Sequence, residues 1–585
     1  MFEKEKNIIE TKIKTYLKGV DIEDAEIEFR QIPFSGEWGL AVPLFPVAAG
    51  EARSGKKVIV PQRAQELAEG LKEFLGDSPA GLSRVDAVKG YLNLYFSTST
   101  FARRVVDTVL NQSTDYGKSP EQNETVMVEF SQPNTHKAFH VGHLRNVILG
   151  GSICRILEFA GYDVIRANYL GDIGLHVIKW MWNYLKNHPG EVPGEDRTHW
   201  MTQIYAEADR LFQIPENEAE VRKLYARWNQ RDPEIVALWE KTRQWSMEGF
   251  EQIYAQLDES FDRVYFESEV EDSGTELVGQ LINQGLAQDE RPNGPVFIDL
   301  DDVLGTEDEY RVLVVLRSDG SSLYATKDLP LAIQKFEEYD LDKSIYVIDV
   351  RQSLYLKQIF KTLEILGYDW ASRLYHLPYE LVNLPGNVTM SSRDGTVVLF
   401  DDLISEATSR AKAIVEEKNP ELSSGVKEEI AEAVALGALK YALLSRDNTK
   451  VVTFDWDSAL DFNGQAAPYI QYAHVRAGSI LRKADQALPS NAEFPDDLEK
   501  AELNLIELMT RLPGEVSRAA ESYRPLIIAN LSYDLARAFN DFYNTCQVLN
   551  AEPVIRSYRL RLVAAAQQVI ANSLNLLGIK APKIM

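Results

Sequence analysis

The chain has 585 residues, of which 45% are hydrophobic and 26% charged, and its formal net charge at pH 7 is −26. This length exceeds what one hydrophobic core can serve and predicts three or four domains of an ordinary globular protein. The negative charge argues against indiscriminate adhesion to nucleic acid or anionic membranes, although a specific binder can confine positive charge to one face.

The N-terminal residues lack the apolar segment of a secretory signal and the acid-poor composition of a transit peptide. The sequence also has no run of 18 apolar residues, so we expect a cytoplasmic protein with no membrane partner. Its two cysteines, Cys154 and Cys546, belong to no Cys-x-x-Cys pair, so we expect no bound zinc and no other resident metal.

Residues 1–118 predict a small α/β domain. Helices are expected over about 7–17 and 62–75, and strands over 57–60 and 91–96, the second with the alternation of a half-buried strand. The polar stretch at 112–123 resembles a linker, which places the first domain boundary near residue 118.

The stretch at 126–146 predicts a strand, a loop and a helix. An apolar run is followed by Pro133, which prevents helix through the connection, and a helix begins near His143. The loop should therefore lie at the carboxyl edge of a parallel sheet, where ligands bind in open α/β folds. His140, Gly142 and His143, together with the N–H groups at the start of the helix, suit a phosphate.

The sheet pattern continues to about residue 404, with one interruption. A strand at 164–169 completes a βαβ unit. Long helical patterns at 180–185, 200–212 and 216–254 indicate a largely helical insertion over about 180–310. Strand-like runs return at 311–316, 321–328 and 344–348, with helices to about 339 and over 354–366, so we expect a doubly wound sheet. A turn-rich loop at 386–395 has the composition of an anion site, and residues 405–585 predict an all-α domain apart from 451–454.

Together these motifs resemble those of arginyl-tRNA synthetases, which are class I aminoacyl-tRNA synthetases. The tetrapeptide 140–143 (HVGH) matches the HIGH signature, and 390–393 (MSSR) stands at the position of the KMSKS loop, 250 residues later. Longer agreements lie at 129–134 (EFSQPN), 324–328 (YATKD), 471–476 (QYAHVR) and 534–543 (DLARAFNDFY).

The resemblance implies a multidomain protein with a Rossmann-like α/β class I catalytic core at 119–404 carrying the helical insertion. It further implies an α/β N-terminal domain that contacts the tRNA D-loop and an all-α anticodon-binding domain at 405–585. The implied reaction joins ATP, bound as its Mg²⁺ complex, and L-arginine into arginyl-adenylate, and then transfers arginine to the 3′-terminal adenosine of its tRNA. The implied enzyme is a monomer.

The resemblance also implies roles for individual residues. They are catalysis by His140, His143, Lys137 and Arg393; ATP binding by His140, Gly142, His143, Met390, Ser391 and Ser392; arginine binding by Glu129, Asn134, Tyr324, Asp328 and Gln352; and tRNA binding by Tyr91, Asn93, Tyr472, Arg476, Asn540 and Tyr543. Carboxylate and amide oxygens suit a guanidinium, because it presents planar, paired donors.

Two departures from the class pattern leave alternatives open. Thr389 and Arg393 replace the two lysines of the second signature, and Lys137 either supplies the missing cation or is a solvated loop residue. His176 stands where many family members have glutamine, and it either packs or contacts substrate. Asp328 also has an alternative to its role in arginine binding, because its position ahead of Leu329 suits a helix N-cap.

A cluster of three C-terminal arginines allows two interpretations. Arg556, Arg559 and Arg561 form either a positive patch for nucleic acid or one solvated helix face.

Two other function classes fit parts of the pattern. A HIGH-type nucleotidyltransferase would use the histidines but not the helical C-terminal domain, and a non-catalytic tRNA-binding paralogue would keep that domain without an intact site.

Overall fold

The computed structural model describes residues 3–23, 25–76, 82–384, 388–389 and 399–585. The chain divides into two compact units: Met1–Gly117 with Tyr472–Gly514 and Leu531–Ser573, and Lys118–Gln471 with Glu515–Asn530 and Leu574–Met585. Among the helices in these described ranges, none is long and apolar enough to cross a membrane. The domain boundaries at 118 and 404 stay predictions.

The N-terminal segment is α/β, as expected. Its elements are α1 (Glu3–Gly19), β1 (Arg30–Gln31), β2 (Gly39–Pro43), α2 (Phe45–Arg53), α3 (Val60–Leu75), β3 (Leu82–Val88), β4 (Tyr91–Phe96) and α4 (Thr98–Gln112). The strands form an antiparallel sheet in the order β1-β2-β4-β3. The predicted strand at 57–60 is wrong, because Pro61 lies in the first turn of α3 and Val60 already begins that helix.

The central region contains the predicted parallel sheet. Its elements are β5 (Thr125–Glu129), α5 (Val141–Phe159), β6 (Asp163–Leu170), α6 (Leu175–Asn187), α7 (Arg197–Leu211), α8 (Pro215–Asn229), α9 (Pro233–Leu257), β7 (Arg263–Phe266), α10 (Glu267–Asn283), β8 (Gln288–Asp289), β9 (Val296–Asp299), α11 (Leu300–Leu304), β10 (Val312–Leu316), α12 (Tyr324–Glu338), β11 (Lys343–Asp349), α13 (Ser353–Ile365), β12 (Leu374–Tyr379), β13 (Val382–Leu384) and β14 (Val388–Thr389).

Five of these strands form the parallel sheet in the order β12-β11-β5-β6-β7. The chain runs outward from β5 through β6 to β7 and then restarts beside β5 at β11, so the order reverses between β5 and β11. Ligands bind at the carboxyl ends of the strands at such a switch point. The loops that follow Glu129 and Asp349 are therefore the expected position of a ligand site.

Four local predictions in this region were wrong. The run at 321–328 is not a strand, because α12 already begins at Tyr324. The run at 311–316 belongs to a separate antiparallel sheet with β8 and β9, and Val312 and Val314 are exposed rather than buried on both faces. The predicted insertion at about 180–310 is largely helical, as expected, but its bounds are wrong, because they include β7, an edge strand of the parallel sheet. The long helix expected over 216–254 is two helices, since Asp232 caps a new helix that has Pro233 in its first turn.

The C-terminal region is helical, as predicted from its loss of strand patterns. Its elements are α14 (Phe400–Lys418), α15 (Ser424–Leu444), β15 (Val452–Thr453), α16 (Trp456–Ala459), α17 (Ala467–Lys483), α18 (Lys500–Ser522), α19 (Leu526–Thr545) and α20 (Pro553–Leu576). The one short strand pairs in parallel with β13, close to the predicted position at 451–454.

Candidate active site

The loop between β5 and α5 contains residues with positive φ angles and is hydrogen-bonded to α9. Ser131, Gln132 and His136 have positive φ angles of 77°, 52° and 61°, in the left-handed region that costs energy for residues other than glycine. The backbone N–H of His136 donates to Ser246 Oγ at 3.0 Å, and the hydroxyls of Ser131 and Tyr254 lie 2.7 Å apart. Side chains of α9 therefore stabilise the conformation that the loop adopts.

The two histidines of the first signature stack at the N-terminus of α5. Their ring centroids are 3.9 Å apart; His140 Nδ1 accepts from the Gly142 N–H at 3.1 Å, and His143 Nδ1 accepts from the His140 N–H at 3.3 Å. Burial lowers the pKa of His140 to about 4 and that of His143 well below its usual value. Both rings are therefore neutral at pH 7, and because each Nδ1 accepts, each Nε2 carries the proton and can donate.

Lys137 lies close to these histidines and is half-buried. Burial, followed by the positive charge of Lys179, lowers its pKa, and Lys137 in turn helps to lower the pKa of His140 and His143. Within the part of the chain that the structure describes, Lys137 makes no hydrogen bond or ion pair, and its Nζ lies 6.0 Å from the Tyr205 ring centroid. The ammonium group is thus available to an anion.

One pocket collects all five predicted arginine-binding residues. It has a volume of about 280 Å³ and lies at the switch point of the parallel sheet. The predicted residues that line it are Glu129, Asn134, Tyr324, Asp328 and Gln352. Gly171 also belongs to the lining, and a Cβ there would lie 2.2 Å from Asn134 Oδ1, so a larger residue would displace this amide.

Two buried ion pairs surround the pocket. Lys335 donates to Glu129, whose other oxygen accepts from Gln132 at 2.7 Å, and Lys327 donates to Glu267. The side chains of Lys335 and Glu129 are 0% and 2% exposed, so each charge depends on the other for compensation. These pairs hold two carboxylates in position at the pocket wall.

Asp328 is the pocket carboxylate with no ion pair among the described residues. Its Oδ2 accepts from the Tyr355 hydroxyl at 2.5 Å. Burial, and then the negative charges of Glu129 and Glu267, raise its pKa to about 7, although the Tyr355 hydrogen bond acts in the opposite direction. The N-cap alternative is wrong, because α12 is capped at Leu323 and Asp328 lies in its second turn.

The proposed anticodon-binding residues of the C-terminal region form one cluster. The guanidinium carbon of Arg476 lies 4.7 Å from the ring centroids of both Tyr472 and Tyr543, and Arg476 donates to Asn540. The two tyrosines are 38% and 44% exposed. Exposed rings around a fixed cation offer surfaces on which bases can stack.

The remaining predicted tRNA contacts lie on β4. Tyr91 and Asn93 share one face of this strand, and both are half-buried, whereas Leu92 and Leu94 on the other face are buried in the core. The face is therefore partly open to solvent at these two side chains.

The C-terminal arginine cluster is neither a nucleic-acid patch nor a solvated face. Arg559 donates to Glu502 at 2.7 Å, Arg561 to Asp107 at 2.6 Å, and Arg556 to the carbonyl of Ala484 at 2.9 Å. Both sequence interpretations were wrong, because these side chains are used within the protein.

The second signature, Met390, Ser391, Ser392 and Arg393, lies outside the described residues. His176 is on α6, where burial lowers its pKa; its Nε2 is buried and has no hydrogen-bond partner in the described ranges.

Several residues at or behind the pocket wall carry no sequence motif. Leu331 follows Tyr324 at helical spacing and lines the pocket, and Lys327 and Lys335 of the same helix pair with the pocket carboxylates Glu267 and Glu129. The helical spacing could have identified them, but lysines are unexpected beside a pocket predicted to bind a cation. Glu267 and Tyr355 come from distant segments, and no sequence signal pointed to them.

Comparison with known proteins agrees with the geometry. The family model described as "tRNA synthetases class I (R), catalytic domain" matches residues 105–456, and the "DALR anticodon binding domain" matches residues 470–585. The arginine–tRNA ligase of Clostridium perfringens is 35% identical over 98% of this chain and 98% of its own length, and that of Bdellovibrio bacteriovorus is 36% identical over 85% and 86%.

A solved structure extends the likeness to the whole fold. The structure titled Thermus thermophilus arginyl-tRNA synthetase covers 99% of this chain and 100% of its own, with 28% identity and a TM-score of 0.76. The predicted fold class, a class I catalytic domain with a C-terminal anticodon-binding domain, is confirmed. The chain belongs to the arginine–tRNA ligase family of class I tRNA synthetases.

Proposed function

We propose that this protein is an arginine–tRNA ligase, which forms arginyl-adenylate from ATP and L-arginine and transfers arginine to the 3′-terminal adenosine of its tRNA. The observation that carries the proposal is the pocket of about 280 Å³ in which five oxygen-bearing side chains converge. One loop joins this pocket to the first signature, since Asn134 lines the pocket and His140, at the end of the same loop, is the N-cap of α5.

The arginine side chain binds to the carboxylates of the pocket. The guanidinium pairs with Asp328, because two parallel N–H donors match the two oxygens of a carboxylate that has no ion pair among the described residues. Glu129, Asn134, Tyr324 and Gln352 supply further acceptors for the guanidinium and the α-ammonium. Binding the cation favours the ionised form of Asp328 and so releases its proton.

The first chemical step needs positive or donor groups around the phosphate. The arginine carboxylate attacks the α-phosphorus of ATP, and pyrophosphate leaves with the electrons of the broken P–O bond. His140 and His143 donate from Nε2 to phosphoryl oxygens, and the N-terminus of α5 adds its partial positive charge. Lys137 supplies a cation, consistent with its free ammonium group in the described part of the chain, and Met390, Ser391, Ser392 and Arg393 contact ATP from the second signature loop.

The tRNA is recognised away from the chemistry. Tyr472 and Tyr543 stack on anticodon bases, with Arg476 and Asn540 offering donors and acceptors between them. Tyr91 and Asn93 contact the D-loop. ATP enters as its Mg²⁺ complex, and the enzyme is a cytoplasmic monomer.

Pyrophosphate exchange tests this function against its alternatives. Exchange of labelled pyrophosphate into ATP is measured with arginine, in the presence and absence of arginine-accepting tRNA. We expect arginine-dependent exchange and charging of the tRNA. A nucleotidyltransferase would exchange without a requirement for arginine, and a non-catalytic paralogue would bind tRNA without exchange; either result would refute the proposal.

A further inference from the structure

The pocket contains a tyrosine to which the family pattern assigned no role. Tyr169 lies on β6, two residues beyond Ala167, which pairs in register with Glu129 of β5. In-register residues of neighbouring strands project to the same face, and so do residues two apart on one strand. Tyr169 therefore faces the same side of the sheet as Glu129, and both line the pocket.

The hydroxyl of Tyr169 has no partner among the described residues, although it is covered from solvent. A buried hydroxyl without a hydrogen bond is unfavourable, and native proteins rarely retain one without a reason. Tyr355 provides a contrast in the same pocket, because its hydroxyl donates to Asp328. The hydroxyl of Tyr169 can therefore form a hydrogen bond with a group that the described residues do not supply.

The surrounding charges indicate what that group is. Burial, and then the carboxylates of Asp328, Glu267 and Glu129, raise the pKa of Tyr169 well above its usual range, so it remains a neutral phenol that can accept a hydrogen bond. Glu129 and Glu267 are already paired with lysines. The field at the hydroxyl is negative overall and favours a donor that carries positive charge.

We propose that Tyr169 is a specificity-determining residue of the arginine site, whose hydroxyl oxygen accepts a hydrogen bond from the guanidinium of bound arginine. The inference rests on the proposed function. A guanidinium has five N–H donors in one plane, so it can pair with Asp328 through one edge and still reach Tyr169 with another N–H. An ammonium concentrates its donors on one nitrogen and cannot span both sites in this way.

The test replaces Tyr169 by phenylalanine, which removes only the hydroxyl. We expect the KM for arginine in pyrophosphate exchange to rise about tenfold, as for loss of a hydrogen bond to a charged group, while the KM for ATP is unchanged. Tyr265→Phe is the matched control. Tyr265 pairs in register with Tyr169 on the neighbouring strand, but its hydroxyl donates to Glu338 at 2.9 Å and it does not line the pocket. This control should leave the KM for arginine unchanged.

A second ligand identifies the end of arginine that Tyr169 contacts. L-argininic acid has a hydroxyl in place of the α-ammonium but keeps the guanidinium, so its inhibition constant should rise by the same factor as the KM for arginine. An unchanged KM in Y169F, an equal loss for ATP, or an unchanged inhibition constant for argininic acid would overturn the inference. Absence of arginine-dependent exchange in the unaltered protein would instead overturn the proposed function.

Discussion

Replacing Asp328 by asparagine should stabilise the folded protein at pH 8 and weaken arginine binding. The substitution keeps the size of the side chain and an oxygen that can accept from the Tyr355 hydroxyl, but it removes the charge. In the free protein that charge is unfavourable, because the carboxylate is partly buried close to Glu129 and Glu267. In the proposed complex the charge compensates the guanidinium, so its removal should weaken arginine binding.

The pKa of Asp328 sets the size of the effect. A rise from the ordinary value of 3.8 to about 7 corresponds to about 4 kcal/mol. Because the folded-state pKa is the higher one, the folded protein retains a proton that the unfolded chain has lost between these pH values. The stability associated with this proton is present below pH 3.8 and is lost as the pH rises to about 7. Partial exposure of Asp328 makes about 4 kcal/mol an upper limit.

Stability and binding are measured on the same variant. Protection of α12 amides from hydrogen exchange reports local stability without assuming two-state unfolding of a long chain. We expect Asp328→Asn to exceed the unaltered protein in protection at pH 8 and to match it near pH 4. Its arginine affinity by calorimetry should fall about a hundredfold, as when one member of a desolvated charge pair is removed.

A surface carboxylate provides the control for this measurement. Asp308, whose side chain is 91% exposed, should give no effect on protection or affinity when changed to asparagine. Protection of Asp328→Asn that is no greater than that of the unaltered protein at pH 8, or undiminished arginine affinity, would refute the reasoning.

Four further predictions follow from the site. The KM for arginine should fall as the pH rises through about 7, because Asp328 then ionises, and the KM for ATP, measured in the same exchange assay, should not follow this profile. His143→Ala should lower kcat by about a hundredfold or more while calorimetry shows unchanged arginine affinity, since the lost donor acts on phosphate. Lys335→Met should lower local stability by about 3–5 kcal/mol, measured by hydrogen exchange of the β5 amides, because Glu129 is left buried without its partner, and a second change of Glu129→Gln should restore part of that loss. Arg476→Ala should raise the KM for tRNA in charging assays but not those for arginine or ATP.

Each of these has a contradicting result. Parallel pH profiles for arginine and ATP would exclude Asp328 as the titrating group. A fall in arginine affinity in His143→Ala would place this histidine in amino-acid binding. An additive double variant of Lys335 and Glu129 would show that the pair is not coupled, and a changed arginine KM in Arg476→Ala would show that its effect reaches the active site.

Local patterns predicted the elements whose neighbours in sequence are also their neighbours in space. The βαβ unit of β5, α5 and β6 has continuous apolar runs and a proline-containing loop, and it forms in the predicted place. The run at 312–316 is also apolar, yet it pairs in a different sheet, where Val312 and Val314 are exposed. Composition shows that a segment can be a strand, but it does not show which partner the strand will meet.

The sequence by itself determined the family resemblance, the parallel sheet and the five acceptors at the pocket, because these depend on short motifs whose residue types match the chemistry. Only the tertiary structure decided how the charges around those acceptors are paired. Lys335 and Glu129 are 206 residues apart in the chain. Two lysines of α12 pair with Glu129 and Glu267, which leaves Asp328, within the described residues, as the pocket carboxylate that has no ion pair. Spacing along a chain carries no information on such pairing, since the balance between burial and charge is set by groups that meet only when the fold is complete.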